Sequence, residues 1–163
     1  MKSSGLRGRP RPTLCDAERA LESVAEYRSY PSSWESSLTE EASSQRFVRL
    51  RSGNLVLWVY LGSAEDHILV PVRPRIPGTV KELPVYCSCE GFQRRLASDE
   101  EFGCTHSLAL MRLSRGSSGF YRSEELPPEV LVKVVDEILT LGQSVTLRVA
   151  LYSRERRKGL SEL

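Results

Sequence analysis

No apolar run in this chain of 163 residues approaches the roughly 18 residues that a membrane helix requires, which excludes a membrane span of that kind. The basic N-terminus, MKSSGLRGRPRP, is followed by no apolar signal core. The expected location is therefore intracellular: cytoplasmic or nucleoid-associated, and nuclear if the source is eukaryotic. Lysine is scarce, with only Lys2, Lys81, Lys133 and Lys158 among 23 basic residues. Arginine suits ion pairs as well as phosphates, so this bias carries no functional weight. A large excess of one sign of charge is also lacking. The formal net charge is +2, whereas a protein that neutralises many phosphates is usually more basic. Missing too are a Walker A motif, a paired acid and base, and a nucleophile beside a base. Neither an enzyme nor a small-molecule substrate is expected.

What is present fits one small domain with one core, since 40% of residues are apolar and 27% charged. The charge is segregated. Residues 1–13 carry +4, 14–45 carry −5, 46–86 carry +3, 87–115 balance at 0, 116–143 carry −3 and 144–163 carry +3. Residues 1–12 have no apolar periodicity and read as a flexible basic arm, which places the domain at 13–152 and a solvated charged tail at 153–163. Leu14, Ala17, Leu21 and Val24 share one helical face, with Thr13 as N-cap and Pro31 as terminator, so a helix is expected over 14–29. A second, short helix within 32–45 follows from the spacing of Trp34, Leu38 and Ala42.

Between 46 and 86 the pattern becomes β-rich: RFVRLR, LVLWVYL, HILVPVR and LPVY, separated by short breaks that imply antiparallel hairpins. A meander that delivers Tyr86 to Cys87 is the simplest arrangement. A helix from about Thr105 to Arg115 should follow, ending at Gly116. Beyond 123, Pro127 and Pro128 open a further helix that carries Leu131, Val134, Val135, Ile138 and Leu141. The segment 143–152 reads two ways. Val145, Leu147, Val149 and Leu151 alternate as a strand would, while Leu131, Ile138, Val145 and Tyr152 lie seven apart as on one long helix; Gly142 favours helix then strand. The fold class is α+β.

Cysteines stand at 15, 87, 89 and 104. Disulfides are an alternative, but Cys87 and Cys89 are too close to pair comfortably, and cysteines beside a histidine in such a chain read as metal ligands. Cys87-Ser88-Cys89 and Cys104-Thr105-His106 form C-x-C, a fourteen-residue spacer, then C-x-H. Three thiolates and one imidazole complete a tetrahedral zinc set with no open position, so a single structural Zn²⁺ is expected. His67, the other histidine, begins an apolar strand and reads as an edge or packing residue. Cys15 reads as a small buried hydrophobe.

This pattern resembles the SWIM zinc-finger family, in which C-x-C is followed by a variable spacer and C-x-H. Phe92 stands where that family commonly has an aromatic, and Ala109 where it has an alanine three residues after the histidine; both would support the finger. The resemblance covers the finger core at 83–113 closely, leaves 123–152 as a C-terminal extension, and implies a zinc-bound β-turn-helix after the meander. In size and in its leading helix the chain also looks like the stand-alone Shu-complex type, which act with RecA-like recombinase paralogues. That resemblance implies a non-catalytic accessory protein of homologous recombination and DNA repair, with a RecA/RadA-like ATPase as partner and single-stranded DNA bound within the complex. A direct DNA-binding zinc-finger protein of regulatory or mobile-element type is the alternative.

Arg94 and Arg95 in the spacer loop, with Arg112 and Arg115 on the helix after the finger, are the candidate nucleic-acid contacts. Asp99, Glu100 and Glu101 lie in the same loop and cancel much of their field, which makes a solvated ion-pair surface the competing reading. Trp34, Trp58 and Tyr60 can stack on bases, but in helix or strand context they read as core.

Overall fold

A computed structural model describes residues 30–71, 85–98, 103–115 and 121–161. The basic arm, the helix expected over 14–29, Cys15, and Asp99, Glu100 and Glu101 lie outside the described residues. After a 3₁₀ turn at Ser32–Trp34, helix α1 spans Glu35–Ser43. Its Trp34, Leu38 and Ala42 face one core cluster, as their i, i+4 spacing predicts. Strands β1 (Phe47–Ser52), β2 (Leu55–Tyr60), β3 (His67–Pro71) and β4 (Val85–Cys87) form the expected antiparallel meander. Gly53 opens the two-residue β1–β2 loop at φ 57°, a left-handed backbone that only glycine adopts without penalty.

Helices α2 (Glu90–Ala97) and α3 (Thr105–Arg115) follow, then β5 (Arg122–Glu125), α4 (Pro128–Leu141) and α5 (Val145–Ser161). The sheet order is β4-β3-β2-β1-β5, with β5 parallel to β1. Both faces of this mixed sheet are covered, and β1, β2 and β3 each feed two cores by alternation. Phe47, Trp58, Tyr60, Leu69 and Cys87 meet α1, α2 and α3 on one side; Val48, Leu50, Leu57, Val59 and Ile68 meet α4 and α5 on the other. That is why β2 reads as a continuous apolar run rather than an alternating one. Among the described residues, no helix is long and apolar enough to cross a membrane.

The structure corrects two expectations. Residues 145–152 are helical, because Gly142 at φ 78° ends α4 and Ser144 then caps α5, its hydroxyl accepting from the Leu147 N–H at 3.1 Å. The residues that alternated pair instead at i, i+4: Leu147 and Leu151 are buried, Val145 and Val149 exposed. Helix α5 runs through Ser161, into the segment read as a charged tail, and there Arg154 pairs with Glu124 and Glu155 with Arg122 at 3.0 Å. Finally, Arg94 and Arg95 lie on α2 rather than in a loop.

Candidate metal centre

Cys87 closes β4, and the ladder continues one residue further, with the Ser88 N–H donating to the Ile68 carbonyl at 2.9 Å. Period-two alternation then turns Cys89 to the same face as Cys87. Extended at φ −66°, ψ 150°, Cys89 is the N-cap of α2, and its Sγ accepts from the Phe92 N–H at 3.3 Å. Within α2, Glu90 pairs with Arg94 at 2.7 Å, and Arg94 and Arg95 occupy the last turn, where cations suit the helix dipole. The first part of the spacer, Glu90–Ala97, is thus a short helix begun by a cysteine of the candidate metal set.

Cys104 precedes α3 in the same way. Its Sγ accepts from the Ser107 N–H at 3.3 Å while the Ser107 hydroxyl accepts from the Cys104 N–H at 2.9 Å, a reciprocal capping box with sulfur in place of the usual oxygen. His106, in the first turn, brings Nδ1 to 4.0 Å from Cys104 Sγ. The donor atoms of Cys87, Cys89, Cys104 and His106 all lie within 4.8 Å of one another. The three cysteines are buried and none is in a disulfide. Hydrogen bonds from Cys87 and Cys89, then from Ser107, outweigh burial and pull the Cys104 thiol down to about 3. Cys87, bonded to the same sulfurs and buried, is pushed well up.

This donor set fits a zinc ion: three sulfurs and one imidazole nitrogen converge from a strand end and two helix starts, and a tetrahedral Zn–S geometry has sulfur–sulfur edges of about 3.8 Å. When bound, the ion would neutralise thiolates that otherwise repel, and the four side chains would hold β4, α2 and α3 together. Phe92 and Ala109, expected to support the finger, are 1% and 0% exposed and belong to the core beside the cysteines. The Phe92 ring meets Tyr86 edge-on at 5.3 Å. A Cβ at Gly103 would fall 2.4 Å from Ser107 Oγ and crowd the Phe92 ring at 3.3 Å, so a larger residue before Cys104 would displace the capping hydroxyl.

Three of the four candidate nucleic-acid arginines have intramolecular partners. Arg94 pairs with Glu90; Arg95 donates to the Gly91 carbonyl at 3.0 Å and lies 4.7 Å over the Trp34 ring. Arg112 bonds Glu35 at 2.8 Å, Tyr30 Oη at 2.8 Å and Thr39 at 2.9 Å, tying α3 to α1. Arg115 ends α3. Trp58 and Tyr60 are buried, and Trp34 packs against the same core.

Two residues of the site escaped the sequence reading. Ser107 is 2% exposed, and its signal was its place three residues after Cys104, the capping-box position. His67 stands with its ring centroid 4.7 Å from that of His106, and together with Trp34, Glu65, Cys89, Arg95 and His106 it helps line a shallow depression of about 290 Å³. Burial, then the neighbouring His106, lowers its pKa. Tyr60, 4.4 Å from the His106 ring, is pushed up to about 12 by burial and by donating to Glu41 at 2.5 Å. No family model, curated protein or solved structure matches the chain.

Proposed function

We propose that this chain is a SWIM-type zinc-finger accessory protein that partners a RecA-like ATPase in recombination and DNA repair. The observation that carries the reading is the cluster of three buried cysteines and one partly buried histidine, whose four protein donors would complete a tetrahedral ion and leave no position for water or substrate. The ion acts as a staple rather than a reagent, and the chain works by presenting a surface. Support for a protein partner comes from the C-terminal helices. Val145, Val149 and Tyr152 form an outward stripe on α5 at 62%, 58% and 62% exposure, while Val132 and Leu139 stand exposed on α4. Arg94, Arg95 and Arg112 already have intramolecular partners, which favours protein over DNA as the primary contact.

The test is isolation from native extract, with zinc assay and identification of the co-purifying protein. One zinc per chain and a RecA-like ATPase are expected. Tight binding of single-stranded DNA by the isolated chain at physiological salt, lost on replacing Arg94, Arg95, Arg112 and Arg115, would instead establish the direct DNA-binding alternative.

A further inference from the structure

The sheet register places a second histidine beside the cysteine–histidine cluster. Phe47 pairs with Tyr60, and Tyr60 with His67. On the other side of β3, Leu69 pairs with Cys87, and the Ser88 N–H bonds the Ile68 carbonyl, so one further step brings His67 opposite Cys89. Alternation sends Tyr60, His67, Leu69, Cys87 and Cys89 to one face. His106 descends onto that row from α3, its ring 4.4 Å from Tyr60 and 4.7 Å from His67. His67 lies outside the tight group of four, yet it shares the depression with Cys89, Cys104 and His106.

We propose that His67 is a reserve ligand of this centre, a second imidazole that takes the position left when His106 or Cys89 is lost. The inference rests on the metal-binding reading above. The His106 ring lies against that of His67 in the depression they share with Cys89 and Cys104, so its removal would open space toward which the His67 side chain could turn while its strand stays paired. Removing the Cys89 sulfur vacates the position directly across from His67. The centre would then have five donors for four positions, and losing one of the two would not release the ion.

The chain has only two histidines, so a His106→Ala variant retains a single imidazole, that of His67. The test loads this variant with Co²⁺ for ligand-field spectra and with Zn²⁺ for X-ray absorption. The expected result is one metal per chain with three sulfurs and one imidazole nitrogen. Adding His67→Ala should remove the imidazole signature and weaken Co²⁺ binding by at least about 10- to 100-fold, the effect of losing a supporting group at a metal site. Cys89→Ser is the second variant and should show two sulfurs and two imidazoles. Metal bound without imidazole in His106→Ala, or with one imidazole in Cys89→Ser, overturns the proposal. Loss of metal and fold in both variants overturns it equally, because a reserve ligand must keep the ion. If the unaltered chain binds no metal, it is the zinc reading that fails, and the two failures are distinct.

Discussion

Cys104 and Ser107 satisfy each other across the first turn of α3, each accepting the other's backbone N–H, at 2.9 Å onto the hydroxyl and 3.3 Å onto the sulfur. A helix cap and a candidate metal ligand are therefore one group. Whatever loosens the cap should also misplace the sulfur, because the same first-turn N–H of Ser107 that the cap satisfies holds Sγ.

Ser107→Ala should accordingly show two effects. The lost cap leaves the buried Cys104 N–H unpaired and should cost about 1 to 2 kcal/mol in denaturant unfolding. Zinc should also pass to a competing chelator about 10- to 100-fold more readily, as expected for a group that orients a ligand. An unchanged chelator competition together with a lowered stability would show that the cap and the ligand are independent.

Metal removal is the broader version of the same test. Cys87→Ser and Cys104→Ser should each abolish zinc and the cooperative unfolding transition, since three apposed thiolates are repulsive without a cation and metal binding is coupled to folding. Cys15→Ser should leave zinc at one per chain. A well-folded, zinc-free sample by elemental analysis would contradict the first expectation, and zinc loss in Cys15→Ser the second.

Ala109, 0% exposed in the core cluster that contains Cys87 and Phe92, lets α3 approach the sheet. Ala109→Leu should lower stability by about 1 to 3 kcal/mol through overpacking, read as a shift of the denaturation midpoint. Ala109→Gly should act through helix propensity instead, at about 1 kcal/mol, with zinc retained.

Residues whose side chains state their role were legible in the sequence, and residues held by their partners were not. The metal set announced itself by spacing, and β1 to β4 by β-branched and aromatic runs. By contrast β5, Arg-Ser-Glu-Glu, has no strand character of its own; it is a strand because β1 offers an open edge and because Arg154 and Glu155 of α5 pair with its charges. The segment 145–152 satisfies both periods at once, and the deciding signal lies outside it. Ser144 caps α5 while donating to Glu137 at 2.8 Å, and its own N–H goes to buried Asp66 at 2.9 Å. His67 reads as packing from the sequence because its cross-strand partner Tyr60 and its place beside Cys89 and His106 are known only from the register and the fold.

Glu137 gives a prediction in pH. It accepts from the Thr146 hydroxyl at 2.7 Å, the Thr146 N–H at 2.9 Å and the Ser144 hydroxyl, and these bonds hold its carboxyl below the usual 4.5. With the folded pKa depressed, its contribution is full above the unfolded value and is lost as pH falls through the folded one. Glu137→Gln should therefore lower the melting temperature at neutral pH and flatten the acid limb of stability below about pH 4.5, the ordinary glutamate value. An acid limb identical to that of the unaltered chain would remove Glu137 from the cap.

The last prediction separates the two faces of α5. Leu147 and Leu151 are buried against Val134 and Ile138 in the core cluster on the α4–α5 side of the sheet, whereas Val145, Val149 and Tyr152, on the opposite face, are 58 to 62% exposed. An i, i+4, i+7 apolar stripe has little to gain from water and most to gain from another protein. Val149→Asp combined with Tyr152→Ala should leave zinc content and melting temperature unchanged, because neither side chain is buried. The same change should weaken binding of the proposed ATPase partner by at least about 2 kcal/mol, or roughly 30-fold, the scale of a central aromatic anchor. Leu147→Ala is the opposite control: it removes a buried side chain and should cost about 2 to 5 kcal/mol of stability whether or not a partner is present. Titration calorimetry with the co-purified ATPase, alongside thermal melts of each variant, distinguishes the outcomes. Unchanged affinity in the stripe variant would move the partner surface away from α5 while leaving the zinc centre untouched.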